Sequence, residues 1–339
     1  MKTTSRLSGP IKVRSATPAA CAAARLRVRL GLEEERVVRV LCATDLLPKT
    51  EAAIERAYQL STQLDAVLSL LHVIPSFADM RGHEENLRRT MARVMCRRPW
   101  PTGRDVPEVL VRTGDPAQVL VEMADQLSAG LVVLGSHRKR RLRNALADRV
   151  AESVLRSRGC PVLMARHEPK GPYRNVLLAT APSAASARTI RAAESWVLTD
   201  GANATIMVSH EPTYEQMLAH AKGRGDSGGT SATGWRAEAR AVLESSLKRV
   251  SIDDSRYDLV IEEAPRPAVA IRRVAEQLRP DLLVVGTRGR ARWRRALFGS
   301  VASQMLRSVN CDVMVVPEGS FEPSLHCRAP DLGPRSRVP

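Results

Sequence analysis

A chain of 339 residues with 44% apolar content is long enough for two domains, each with a substantial core. No run approaches the ~20 consecutive apolar residues of a membrane span, so no transmembrane segment is expected. The aromatic content is 3%, so the cores must rest on Val, Leu, Ile and Ala, and the net charge of +16 selects for anionic partners: nucleic acid, acidic lipid or a phosphate-bearing ligand.

Residues 1–35 are rich in Arg, Ala, Ser and Pro, lack a signal-peptide apolar core, and read as a disordered extension. The first ordered pass is expected over 36–167. Strands are expected at 37–42, 67–74, 109–111, 131–134 and 162–165. Helices are expected at 50–63, 82–98, 117–128 and 142–157, with Gly114-Asp115-Pro116 turning the chain into the third helix. Residues 168–172 are a linker. The second pass, 173–317, has strands at 175–179, 204–209, 258–262, 282–285 and 312–316. Its helices fall at 184–198, 235–250, 267–278 and 295–308, with a glycine-rich flexible insert at 223–234. Residues 318–339, with Pro323, Pro330, Pro334 and Pro339, read as a disordered tail.

The two passes are copies. Leu131–Arg138 matches Leu282–Gly289 at an offset of 151, and the register holds through Ala145-Leu146, Leu155–Ser157 and Cys160, opposite Ala296-Leu297, Leu306–Ser308 and Cys311. Strands alternating with helices imply right-handed βαβ units and parallel sheets covered on both faces. The fold class is therefore α/β: two tandem doubly wound domains, each with five strands in the order 3-2-1-4-5. Ligands of such sheets bind at the carboxyl ends of the strands.

In the second copy the strand Leu282–Val285 runs into Gly286-Thr287-Arg288-Gly289, and nine residues later Gly299-Ser300 opens a helix at Val301. Glycines let backbone N–H groups approach a phosphate, and a helix start adds unpaired donors and a favourable dipole. In the first copy Arg138 replaces the second glycine and Asp148-Arg149 replace Gly-Ser. A long side chain and a negative charge then stand where an anion would sit. Basic residues cluster at both positions, with six Lys/Arg in Ser136–Arg149 and six Arg in Gly286–Arg307. They suit a polyphosphate or, equally, a solvated basic face; among the arginines of 288–295 only Trp293 interleaves as an aromatic, which argues against nucleic acid.

The spacing G-x2-G-x9-G-S resembles the nucleotide-binding signature of the universal stress protein family. The resemblance covers about residues 36–317 and is strongest over 281–317. It implies the strand order above, a pseudo-dimer or homodimer through the fifth strands, and ATP, with or without magnesium, as ligand. The binding residues it implies are Gly286, Thr287, Arg288, Gly289, Gly299, Ser300 and Val301, with Thr180 at the end of the first strand of that half. Family members that bind ATP also place an aspartate after that first strand. The first half has it, in Ala43-Thr44-Asp45, whereas the second reads Ala179-Thr180-Ala181. Intact loop and intact aspartate thus sit in different halves, and ATP binding is expected to be weakened.

Other constellations point elsewhere. The six cysteines show no C-x-x-C pair and no metal spacing, which fits a reducing cytosol. No Ser-His-Asp or Cys-His arrangement is present, and the lysine and paired acids of a phosphoryl-transfer site are missing, so no enzyme is expected beyond slow nucleotide hydrolysis. His72 reads as a polar residue at a strand end, and His210-Glu211 occupy the matching edge of the second half. The expected function is a cytosolic, nucleotide-binding stress protein whose occupancy biases conformation or a partner contact. The alternatives are a nucleotide-free tandem interaction scaffold and a basic protein associating with nucleic acid or membrane.

Overall fold

The computed structural model describes residues 38–47, 50–76, 84–99, 107–135, 141–157, 160–181, 184–199, 201–210, 232–249, 256–264, 266–287 and 300–317. The two expected disordered ends lie outside these residues. So do 223–231 of the expected insert, Glu211, Arg138, and Arg288, Gly289 and Gly299 of the glycine loop.

Apolar runs that are buried on both faces become central strands. In the first half β1 (Arg39–Ala43), β2 (Val67–Ile74), β3 (Glu108–Thr113), β4 (Leu131–Gly135) and β5 (Val162–Ala165) alternate with α1 (Glu51–Leu64), α2 (Glu84–Cys96), α3 (Pro116–Gln126) and α4 (Arg141–Ser157). In the second half β6 (Asn175–Thr180), β7 (Asn203–His210), β8 (Tyr257–Glu263), β9 (Leu282–Gly286) and β10 (Asp312–Val316) alternate with α5 (Ala184–Trp196), α6 (Ala232–Arg249), α7 (Pro267–Leu278) and α8 (Ser300–Ser308). Helix starts follow local chemistry. The Asp115 carboxylate accepts from the Ala117 and Gln118 N–H groups, with Pro116 at the first helical position, so α3 begins where the Gly-Asp-Pro sequence predicts. Element ends shift by a few residues from expectation, and residues 232–234, expected in the flexible insert, already belong to α6.

The strands form one ten-stranded sheet, ordered β3-β2-β1-β4-β5-β10-β9-β6-β7-β8. Each half keeps the 3-2-1-4-5 order, and the halves lie side by side without interleaving. All pairings within a half are parallel; β5 and β10 meet antiparallel, with Leu163 opposite Met314. The halves therefore pair through their fifth strands within one chain. Two cores cover the two faces, and each runs across both halves. One gathers Ile54, Ala57 and Leu60 of α1 with Ile190, Ala193 and Trp196 of α5; the other gathers Ala151 and Val154 of α4 with Ala302 and Met305 of α8.

A buried ionic cluster reinforces this junction. Arg56 of α1 pairs with Asp312 at the start of β10, Nε to Oδ2 3.4 Å, with the two side chains 6% and 2% exposed. The Arg56 guanidinium stacks 3.9 Å over the Tyr173 ring and donates to the Gly171 carbonyl at 3.0 Å. The Tyr173 hydroxyl donates to Asp312 Oδ2 at 2.7 Å, and the Arg166 N–H donates to Oδ1 at 2.8 Å. Gly171, at φ +137°, adopts a backbone conformation that other residues rarely reach, and this turns its carbonyl into the cluster. The segment expected as a plain linker is thus tied through Gly171 to α1.

Candidate functional site

The carboxyl-end rim of the second half is built by β6, β9 and α8. Ala179 pairs with Val285, so Thr180 and Gly286 end their strands side by side. Leu178 and Val284 lie in the core beneath α5, and strand alternation puts Thr180 and Gly286 on that same face. Beyond Gly286, the Thr287 N–H donates to the Val316 carbonyl at 2.9 Å and the residue is buried, which fixes the start of the loop to β10. The chain next appears at Ser300, the first residue of α8. Ala302, Met305 and Leu306 anchor that helix in the core, with Val301 packed at its margin. The helix start consequently faces the rim where Gly286 lies.

The second-half glycine is less tightly covered than its counterpart. Among the described residues, a Cβ on Gly286 would meet Thr189 Oγ1 of α5 at 3.1 Å, a close contact with the end of a side chain. The matching glycine of the first half, Gly135, is plugged: its Cβ would lie 2.8 Å from Thr50 Cγ2 and 3.3 Å from Thr50 Cα and Cβ. The two helices that border these notches align at an offset of 136, Thr50 with Ser186, Ala53 with Thr189, and Ile54 with Ile190. In the first half Thr50 fills the notch; in the second, a hydroxyl from the next helical turn stands beside the glycine.

The aspartate that the first half retains is already engaged. Asp45 Oδ1 accepts from the Leu47 N–H and the Thr50 hydroxyl, both at 3.0 Å, so the exposed carboxylate organises the turn that leads into α1. Thr44 Oγ1 and Thr50 Oγ1 are 2.9 Å apart, and the Leu46 N–H donates to Thr44 Oγ1 at 3.0 Å. His72 Nδ1 lies 2.9 Å from the Thr44 carbonyl, a strand-end contact of the kind its sequence context predicts. In the second half Ala181 offers no carboxylate. The Ser186 hydroxyl donates instead to the Ala181 carbonyl, and Thr180 Oγ1 is left buried without a hydrogen-bond partner.

Of the sequence-derived site residues, Thr180, Gly286, Thr287, Ser300 and Val301 lie on described elements at one rim; Arg288, Gly289 and Gly299 fall outside the described residues. Sequence reasoning passed over Thr189 and Thr50. Aligning the first helices of the two halves, rather than only the last ones, exposes both. The buried thiols are not poised for chemistry: burial pushes Cys42 up to about 12, against a smaller opposing effect of the Arg98 charge, and burial together with the Asp312 charge raises Cys311 to about 11. Among the described residues no group of three or more His, Cys, Asp or Glu could hold a metal ion, and no helix is long and apolar enough to cross a membrane.

A duplicated, doubly wound α/β body with a glycine turn at a strand end and a helix start beyond it defines the class. The family model described as the universal stress protein family matches residues 37–166 and again 172–317. The chain belongs to the universal stress protein family. Universal stress protein A of Salmonella typhi is 25% identical over 107 residues, which are 29% of this chain and 74% of that protein. A universal stress protein of Methanocaldococcus jannaschii is 42% identical over 56 residues, 16% of this chain and 33% of that one. Among solved structures, a functionally unknown protein from Pseudomonas aeruginosa PAO1 superposes with a TM-score of 0.59 at 18% identity, covering 86% of this chain and 94% of that one. A universal stress protein from Archaeoglobus fulgidus gives 0.57 at 18% identity, covering 83% and 97%. Both share the fold over most of their length.

Proposed function

We infer that the second half binds ATP or a related nucleotide and that occupancy biases the conformation of the chain or its contact with a partner in a cytosolic stress response. The observation that carries this reading is the contrast between the two glycines: beside Gly286 stands a rotatable hydroxyl, Thr189 Oγ1 at 3.1 Å, whereas Gly135 is covered by the methyl and backbone of Thr50. The glycine spacing and arginines that follow Gly286 supply backbone donors and positive charge for a phosphate chain. Magnesium would enter with the nucleotide. Turnover is not part of the proposal.

The reading is tested by thermal or urea denaturation of the full chain with and without MgATP. A ligand at a hundred times its dissociation constant stabilises by about 2.7 kcal/mol. Gly289→Arg introduces the residue that the first half carries at Arg138 and is expected to abolish that stabilisation. A variant stabilised as much as the parent would refute the site. Mass spectrometry of ligand released from protein purified without added nucleotide identifies the species it carries.

A further inference from the structure

We propose that Thr180 is the specificity-determining residue of this rim: its hydroxyl donates to a phosphate oxygen of the ligand, so that the site reads a phosphate chain and tolerates any base. The proposal rests on the nucleotide-binding reading above and narrows its ligand class to oligophosphates, with or without a nucleoside attached.

The two halves supply the contrast. At an offset of 136, Thr44, Asp45 and Thr50 correspond to Thr180, Ala181 and Ser186. In the first half the three side chains form a closed set. The Thr50 hydroxyl reaches Asp45, Thr44 Oγ1 lies 2.9 Å from Thr50 Oγ1, and the Leu46 N–H completes the Thr44 shell. In the second half the carboxylate is gone. Ser186 turns to the Ala181 carbonyl, and Thr180 keeps its place at the strand end with neither a side-chain acceptor nor a backbone donor. A buried hydroxyl without a partner is costly, and a ligand that accepts from it removes that cost.

Position and chemistry select that partner. Thr180 ends β6 one residue beyond the Ala179–Val285 pair, at the same strand ends as Gly286, beside which Thr189 Oγ1 stands. A hydroxyl there has a proton to give, and phosphate oxygens are acceptors only. A ribose hydroxyl or an adenine amino group would instead want an acceptor such as a carboxylate, and Ala181 removes the one that the first half has. Loss of the carboxylate and release of the Thr180 hydroxyl therefore act together: one weakens selection of the nucleoside, the other strengthens the hold on phosphate.

The test compares ATP, GTP and inorganic tripolyphosphate by titration calorimetry on the full chain, in the parent, Thr180→Val and Thr180→Ser proteins. The parent is expected to bind all three within about threefold of one another. Thr180→Val keeps the shape and removes the donor, and should weaken all three by about tenfold, the scale of one lost hydrogen bond to a charged group. Thr180→Ser keeps the donor and should stay within about threefold of the parent, which separates the hydroxyl from a packing effect. Unchanged affinities in Thr180→Val overturn the proposal. So does weakening confined to ATP and GTP, which would put the hydroxyl on the nucleoside, and so does a parent preference for ATP over GTP of more than tenfold. A parent that binds none of the three overturns the nucleotide reading itself and this proposal with it.

Discussion

Arg56→Met is the most informative perturbation of the junction, because it removes the charge of Arg56 and keeps much of its length. The Asp312 carboxylate, 2% exposed, would then be buried without its cation. It retains the Tyr173 hydroxyl at 2.7 Å and the Arg166 N–H at 2.8 Å, which moderates the loss. Removing one partner of a buried pair costs about 3–5 kcal/mol, and the two surviving hydrogen bonds place the expectation near 3. The stacking on Tyr173 and the bond to the Gly171 carbonyl are lost in the same step and fall within that figure, since such contributions are not additive. Urea unfolding of the parent, Arg56→Met, Asp312→Asn and the double variant measures it. Each single variant should lower the midpoint, and the double variant should be less damaged than the sum of the two by about 0.5–3 kcal/mol. A loss below about 1 kcal/mol in Arg56→Met, or strict additivity, would show that the cluster does not hold the halves together.

Other outcomes follow from the same geometry. Gly135→Ala should destabilise the chain by about 1–3 kcal/mol in urea, because its Cβ would lie 2.8 Å from Thr50 Cγ2, whereas Gly286→Ala should cost less, since Thr189 Oγ1 at 3.1 Å can rotate away. Ala181→Asp restores an acceptor at the end of β6 and should tighten ATP about tenfold while leaving tripolyphosphate nearly unchanged by calorimetry; equal ATP affinities would place position 181 away from the nucleoside. Alkaline pH should destabilise the fold. Cys42 and Cys311 have folded values of about 12 and about 11 against 9.0 in free chains, and burial with the neighbouring Asp312 charge raises Tyr173 well above 10.0. The folded state therefore holds protons that the unfolded state releases. The stability these groups confer is whole below about pH 9 and falls by about 1.4 kcal/mol per pH unit per group as pH climbs toward their folded values. Denaturation midpoints measured from pH 8 to 11 check the slope, and Cys42→Ala should reduce it.

The architecture was legible because central parallel strands announce themselves. Val162–Ala165, Leu282–Val285 and Val313–Val316 are apolar without interruption, as strands buried on both faces must be, and the duplicated register made each half evidence for the other. The glycine turn was legible for the same reason, since one copy kept what the other lost. The junction was not. Arg56 follows Glu55 in its helix, and nothing in its neighbours separates an arginine that points to water from one that meets an aspartate 256 positions later. Asp312 gave a faint signal as a carboxylate at the head of a buried strand. The notch was half legible: Gly286 is plain in the sequence, but the plug at Gly135 depends on how far Thr50 reaches across from the start of α1, a tertiary distance that no periodicity encodes.

The antiparallel meeting of β5 with β10 gives the molecule a direction. Each half presents its carboxyl-end rim to the opposite pole of the same sheet. Two identical subunits meeting in this way would look the same from either pole. Here a single gene carries both, and each pole has been free to diverge: Thr50 covers the glycine of one, and Thr189 stands beside the glycine of the other. The result is a body with a front and a back. A ligand arriving at the Thr189 pole alters one end alone, and a partner that touches the Thr50 pole meets the same surface whether or not the other is filled, unless the shared sheet between them moves.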